Sequence, residues 1–274
     1  MTTALGSYGV WRMISAITPE LAEQVEGLGY GAIWVGGSPK GDLESVEALL
    51  EGTERIPVAT GIVNMWRENA ETVSASYRRV VEKHPGRFLL GVGIGHREAT
   101  EGWARPFDKI NDYLDRLDHA GVLRDDIVLA ALGPRALRMA RERTRGAHPY
   151  LTTPHHTRFA REVLGEGRLL APEQKVVLDP EPERARSVGR PVVTRYLDRV
   201  NYRNNLLREG WTEDDFVDGG SDRLVDALVL HGTAEQVAAG LAAHLEAGAD
   251  HVGVHVLGED PLEAYRELSR VLFA

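Results

Sequence analysis

The chain has 274 residues, 43% hydrophobic and 27% charged, enough to bury one large core, and no break in composition marks a linker. A formal net charge of −9 argues against the polyanions, nucleic acid and anionic membrane, as partners. The absence of cysteine removes disulfides, thiolate metal sites and a cysteine nucleophile.

The first predicted strand is YGVWRM, 8–13, followed by a helix with Thr18 at its N-cap, Pro19 at N1 and Gly29 just past its end. GAIWVGG, 31–37, is the second strand, and a helix follows near DLESVEALLEGT. IPVATGIVNMW, 56–66, reads as the third strand before the long helix NAETVSASYRRVVEKHP. RFLLGVGIG is the fourth, with a helix over PFDKINDYLDRLDHAG. DIVLAALG, 126–133, leads into a helix that Pro134 starts, and GAHPYLT, 146–152, into the capped helix TPHHTRFAREVLG. RLLAPEQKVVLD, 168–179, is a seventh strand. A mainly helical stretch, 181 to about 247, then precedes ADHVGVHVLG, 249–258, and the last helix, DPLEAYRELSRVLF.

Strands that alternate with helices pair in parallel through right-handed crossovers. Eight of them in this length predict an α/β fold, a (β/α)8 TIM barrel spanning 1–274 as one domain, with 181–247 holding a helical insertion before the last strand. An open doubly wound sheet is the competitor. No apolar run approaches the ~18 residues of a membrane span, and MTTALGSYGVW lacks a signal's basic and apolar regions, so a soluble cytoplasmic protein is expected.

In a barrel of this kind the chemistry lies at the C-terminal strand ends. Here that rim is rich in glycine, aromatics and histidine. It shows no carboxylate cluster for a metal, no Ser-His-Asp order and no lysine poised for a Schiff base. Glycine weakens a strand, and a tight turn would explain one such site. Its recurrence at VGG (35–37), ATGIVN (59–64), GVGIG (91–95) and ALGP (130–134) predicts a broad floor for a planar ring with an anionic tail.

These segments, with HPGRFLLGVGIGH, GAHPYLTTPHHT, LLAPEQKVVL, NYRNNLLREGWTEDD and AGADHVGVHVL, resemble the luciferase-like flavin and deazaflavin oxidoreductases. Within that superfamily they resemble the coenzyme F420-dependent oxidoreductases, from about residue 8 to 258. The resemblance implies a barrel with a deazaflavin over its strand ends, a small-molecule substrate and a homodimer. It also implies a non-proline cis peptide at Gly61–Ile62 that backs the ring, with Gly37 and Asn64 beside it. Gly93 and Gly95 would clear space for the ring. Gly133, Tyr150, Thr152 and Thr153 match the region that holds the cofactor's tail, where amides and hydroxyls bind an anion without lysine. The chain departs from the family in having Gly36-Gly37-Ser38 where relatives place an acid, and in a short loop over HREATEGW.

Three residues are the candidates for chemistry. His96 is expected to be the proton donor to the hydride acceptor, because its ordinary pKa lies near neutrality. Trp66, at the third strand's end, would wall a conjugated substrate, and His255 stands at the eighth strand's end. His148 is expected in the core and His156 at the surface, and no histidine pair has metal spacing with a carboxylate. Arg223 is a further candidate for the cofactor's phosphate. An FMN-dependent monooxygenase of the same fold, a non-catalytic flavin carrier and a cofactor-free isomerase are the rival readings.

Overall fold

A computed structural model describes residues 3–99 and 105–274. The second half of the short loop expected over HREATEGW, 100–103, lies outside the described residues. Among the described residues the strands are β1 (Tyr8–Met13), β2 (Ile33–Gly36), β3 (Val58–Gly61), β4 (Val63–Asn64), β5 (Phe88–Gly93), β6 (Ile127–Leu129), β7 (Gly146–Ala147), β8 (Leu169–Leu170), β9 (Glu173–Val177), β10 (Val229–His231) and β11 (Val252–Val256). All pairings are parallel and run β1–β2–β3–β5–β6–β7–β8 on one side and β1–β11–β9–β10 on the other. The segment holding β8 and β9 closes the ring. Glu173 N–H donates to Pro149 C=O on one edge, and Gly253 N–H donates to Pro172 C=O on the other. The result is the predicted barrel.

Two strands differ from expectation. The third predicted strand is divided into β3 and β4 at Gly61–Ile62, whose peptide is cis, as the resemblance implied. The stretch 181–247 also contains β10, which pairs with β9 from Val229↔Lys175 to His231↔Val177. β7 covers only Gly146–Ala147, so it leaves the upper edge of β9 open, and β10 takes that edge.

The helices α1 (Pro19–Gly27), α2 (Glu44–Glu51), α3 (Ala70–Lys83), α4 (Pro106–His119), α5 (Pro134–Arg143), α6 (Pro154–Leu164), α10 (Ala234–Glu246) and α11 (Pro261–Leu272) follow the strands around the barrel. The insertion before β10 supplies α7 (Pro182–Leu197), α8 (Val200–Arg208) and α9 (Asp222–Leu228). Thr18 caps α1 as predicted, accepting from Leu21 N–H at 3.3 Å. Thr233 caps α10 reciprocally: its Oγ1 accepts from Gln236 N–H, and Gln236 Oε1 accepts from Thr233 N–H. Thr233→Ala is expected to lower stability by about 1 kcal/mol in urea unfolding.

The main core lies between the strands and the outer helices, where Val10, Val35, Val58, Leu90 and Leu129 meet Leu49, Val73, Leu117 and Leu137. A second layer fills the barrel. There Trp11 and Trp34 are packed among small residues, Ala32, Ala59 and Ala171. Strand register brings rim glycines level: Gly36 lies opposite Gly61, and Asn64 opposite Gly93. No helix among the described residues is long and apolar enough to cross a membrane.

Candidate active site

The C-terminal strand ends open into a cavity of ≈ 650 Å³, within the usual range for ligand and cofactor sites. β1 contributes Trp11, β2 is followed by Gly37 and Ser38, and the β3–β4 segment gives Gly61, Ile62 and Asn64. The turn after β5 brings Gly95 and His96, the turn after β6 brings Gly133, and the end of β7 brings His148 and Tyr150. α7 and α8 cover it with Tyr196, Asn201, Tyr202 and Arg208. Sequence reasoning missed this roof because periodicity says that a helix exists, not which side of the barrel it covers.

The rim glycines divide by role. Gly95 has φ +62°, and a side chain there would start 2.5 Å from Asn64 Nδ2. Gly37 and Gly61 likewise expose bare backbone to the cavity. Gly93 does not line it, which corrects the expectation. A Cβ at Gly93 would meet Ala130 Cβ at 2.9 Å and Ile62 Cγ1 at 3.0 Å, so this glycine makes room for its neighbours. Gly36 likewise admits the Trp11 ring, and Gly91 lies against the Thr60 carbonyl.

His96 is half-buried in the wall, its ring 5.5 Å from Tyr202 and 6.0 Å from Tyr196. Burial, and then the Arg199 charge, pull its pKa below the ordinary histidine value. Trp66 is not part of the cavity lining: its ring lies 5.5 Å from Lys109 Nζ on α4. His255 is also behind the lining, 4.4 Å from the Trp11 ring, with Nδ1 2.7 Å from Glu173 Oε1. Both candidates sit at strand ends as predicted, yet neither side chain reaches the cavity.

The largest omission of the sequence reading is the ion pair under the floor. Lys175 Nζ donates to both Glu173 oxygens at 2.8 and 2.9 Å, with both side chains wholly buried. Burial alone would raise the Glu173 carboxyl, but Lys175 and His255 hold it below the carboxylate range. Lys175 also stands 3.7 Å over the Tyr150 ring, and the Tyr196 hydroxyl donates to the Tyr150 hydroxyl at 3.2 Å. Alternation along EQKVV was the available signal: Glu173 and Lys175 share the inner face, whereas Gln174 bonds outward to Leu228 C=O and His244.

The predicted tail site is altered. Thr152 is fully buried behind the lining, and its Oγ1 has no hydrogen-bond partner among the described residues. Thr153 Oγ1 caps α6 by accepting from His156 N–H and donates to Glu209 Oε2 at 2.5 Å. A carboxyl therefore stands where an anion was expected. His156 is fully buried, not exposed, with Nε2 2.9 Å from the Leu132 carbonyl. Arg223 pairs with Asp215 at 2.9 Å and is not in the lining. The cationic side chains that do line the cavity include Arg67, Arg135 and Arg208, and Arg208 Nη2 is 3.4 Å from where a Gly133 Cβ would be.

Burial pushes the Glu209 carboxyl up to about 7 against the pull of Thr153 and Arg208. A carboxyl raised in the folded state stabilises the fold fully below its unfolded value, and that contribution is lost as pH rises through about 7. Glu209→Gln is therefore expected to be more stable than the natural chain at about pH 8, by roughly 2–3 kcal/mol, with little gain at about pH 4. Urea unfolding at both pH values checks it.

No protein-family model matches the chain, and no curated protein does either. Solved structures do. An F420-dependent secondary alcohol dehydrogenase in complex with an F420–acetone adduct superposes with TM-score 0.77 at 14% identity, covering 97% of this chain and 98% of that one. The two share a (β/α)8 barrel fold. The coenzyme F420-dependent tetrahydromethanopterin reductase of Methanopyrus kandleri shares it, with TM-score 0.74, 15% identity and 98% and 99% coverage. So does a type II Baeyer–Villiger monooxygenase from Pseudomonas putida in complex with FMN, with TM-score 0.70, 14% identity and 97% coverage of each chain. At such identities the likeness is one of fold alone.

Proposed function

We propose that this chain is a coenzyme F420-dependent oxidoreductase that moves a hydride between the deazaflavin and a small organic substrate. The observation that carries this reading is the make-up of the cavity. Its floor at Gly37, Gly61 and Gly95 is bare backbone, and arginines gather at its Gly133 end. A flat ring needs the first and an anionic tail the second. That combination reconciles an acidic chain with a phosphate-bearing cofactor.

Gly37, Gly61, Ile62, Asn64 and Gly95 would hold the ring, and Gly133, Arg135 and Arg208 its tail. When bound, the deazaflavin supplies the carbon that carries hydride. His96 is the proton partner. Burial lowers its pKa, which suits taking a proton from an alcohol more than giving one to a ketone, the reverse of the donor role expected from sequence. Tyr196 and Tyr202 cover the site and exclude water. The same bare floor admits FMN, which the Pseudomonas putida neighbour holds on this fold, so an FMN-dependent monooxygenase is the second reading.

Purification from a host that makes both cofactors separates them. A deazaflavin chromophore on the protein is the expected result. FMN alone would favour the monooxygenase, and a bound chromophore that no candidate acceptor turns over would favour a carrier.

A further inference from the structure

The turn after β5 and the start of α8 are tied together by residues that line the cavity: His96, Glu98, Val200 and Asn201. α8 brings no cap of its own. Arg199 holds its N-cap position without a side-chain hydrogen bond, and its first turn has no acidic residue. The amides of a first helical turn lack partners inside the helix. Glu98, two residues past His96, supplies one, its Oε1 accepting from Val200 N–H at 3.0 Å. Its Oε2 lies 4.0 Å from Arg199 Nη1. The loop that carries His96 therefore caps the helix that roofs it.

That cap sets the first residues of α8 beside His96. Asn201 follows Val200, and its side chain hydrogen-bonds the imidazole. The bond favours the charged ring. A donated amide N–H would favour the neutral ring, so the imidazole donates and the Asn201 carbonyl accepts. Among the charges that act on His96, Arg199 lowers its pKa, as burial does, and Glu98 raises it. Tyr202 from α8 and Tyr196 from α7 face it as neutral phenols, since burial raises both. A base that takes a proton from an alcohol becomes an imidazolium. A third group that accepts from that ring aims it and stabilises the charge the transfer creates. Asn201 has the position and the polarity for that task.

We propose that Asn201 is the positioning residue for His96, held in place by the Glu98 cap on α8, so that the insertion completes the proton-transfer site. The proton duty of His96 rests on the redox reading of the cavity. The pair itself rests on the contacts between the β5 turn and α8.

The test follows the histidine ring C–H signals of the full chain through a pH titration by NMR, with and without saturating F420. The chain has 10 histidines, and the His96 signal is the one that His96→Gln removes. Asn201 and Glu98 are exposed, so substitutions there leave the core intact. Asn201→Leu is expected to move the His96 titration to lower pH. Asn201→Asp is expected to move it to higher pH, since a carboxylate accepts the same bond and adds a charge. Glu98→Gln removes the charge but keeps an oxygen for the cap, whereas Glu98→Leu removes both. Glu98→Leu is expected to lower the titration further than Glu98→Gln, and that difference to vanish once Asn201→Leu is present. A titration unmoved by Asn201→Leu, or moved alike by Asn201→Leu and Asn201→Asp, would overturn the pair. Equal effects of the two Glu98 variants, or a difference that survives Asn201→Leu, would overturn the part given to the cap. F420 is expected to shift the His96 signal, because its ring is placed beside His96. An unmoved signal under F420, with the Asn201 shifts as expected, would overturn the redox reading and leave the pair standing.

Discussion

Glu173→Gln is expected to destabilise the barrel by about 3–5 kcal/mol, because it strands the buried charge of Lys175. At roughly 2–4 °C per kcal/mol for a chain of this size, the midpoint of thermal unfolding should fall by about 10 °C. The carboxylate has four duties: Oε1 and Oε2 receive Lys175, Oε1 receives His255, and Oε2 receives Leu151 N–H. An amide oxygen can serve only some of these donors and carries no charge. Adding Lys175→Met removes the stranded ammonium and is expected to restore more than half of the loss. Urea unfolding of the two single variants and the double variant gives the coupling directly. Additive losses would show that the pair is not coupled.

The second large effect concerns the cofactor's tail. Arg208→Met is expected to weaken F420 binding about 10- to 100-fold, the range for loss of a charge-assisted hydrogen bond to an anion. Thr153→Val should change that affinity by less than about threefold, since its hydroxyl is already held by Glu209 and the α6 cap. Fluorescence titration of the cofactor checks both. The opposite order of effects would return the tail to the α6 terminus and imply that Glu209 moves away.

The barrel was legible because helix starts and strand ends are marked locally, by Thr18 and Pro19, by Pro134, and by Thr153 and Pro154. β10 was not, since three residues between a helix and Gly232 carry no period. At the rim, Gly37, Gly61, Gly95 and Gly133 do border the cavity. Gly93 shows the limit of such reasoning: a missing side chain leaves room, and only packing decides whether a ligand or Ile62 takes it. Trp66 and His255 show a second limit. Both stand at strand ends, but strand-end position does not settle which way a side chain turns. Tyr196, Tyr202 and Arg208 entered the site through the insertion, which ends in β10 on the open edge of β9.

The central claim is that bare backbone at the barrel mouth receives a flat redox ring. Titrating F420 and FMN separately into the purified chain tests it most directly, with deazaflavin fluorescence and flavin absorbance as the signals. Saturable one-to-one binding of F420, tighter than that of FMN, is the predicted result. Failure of both to bind would contradict it.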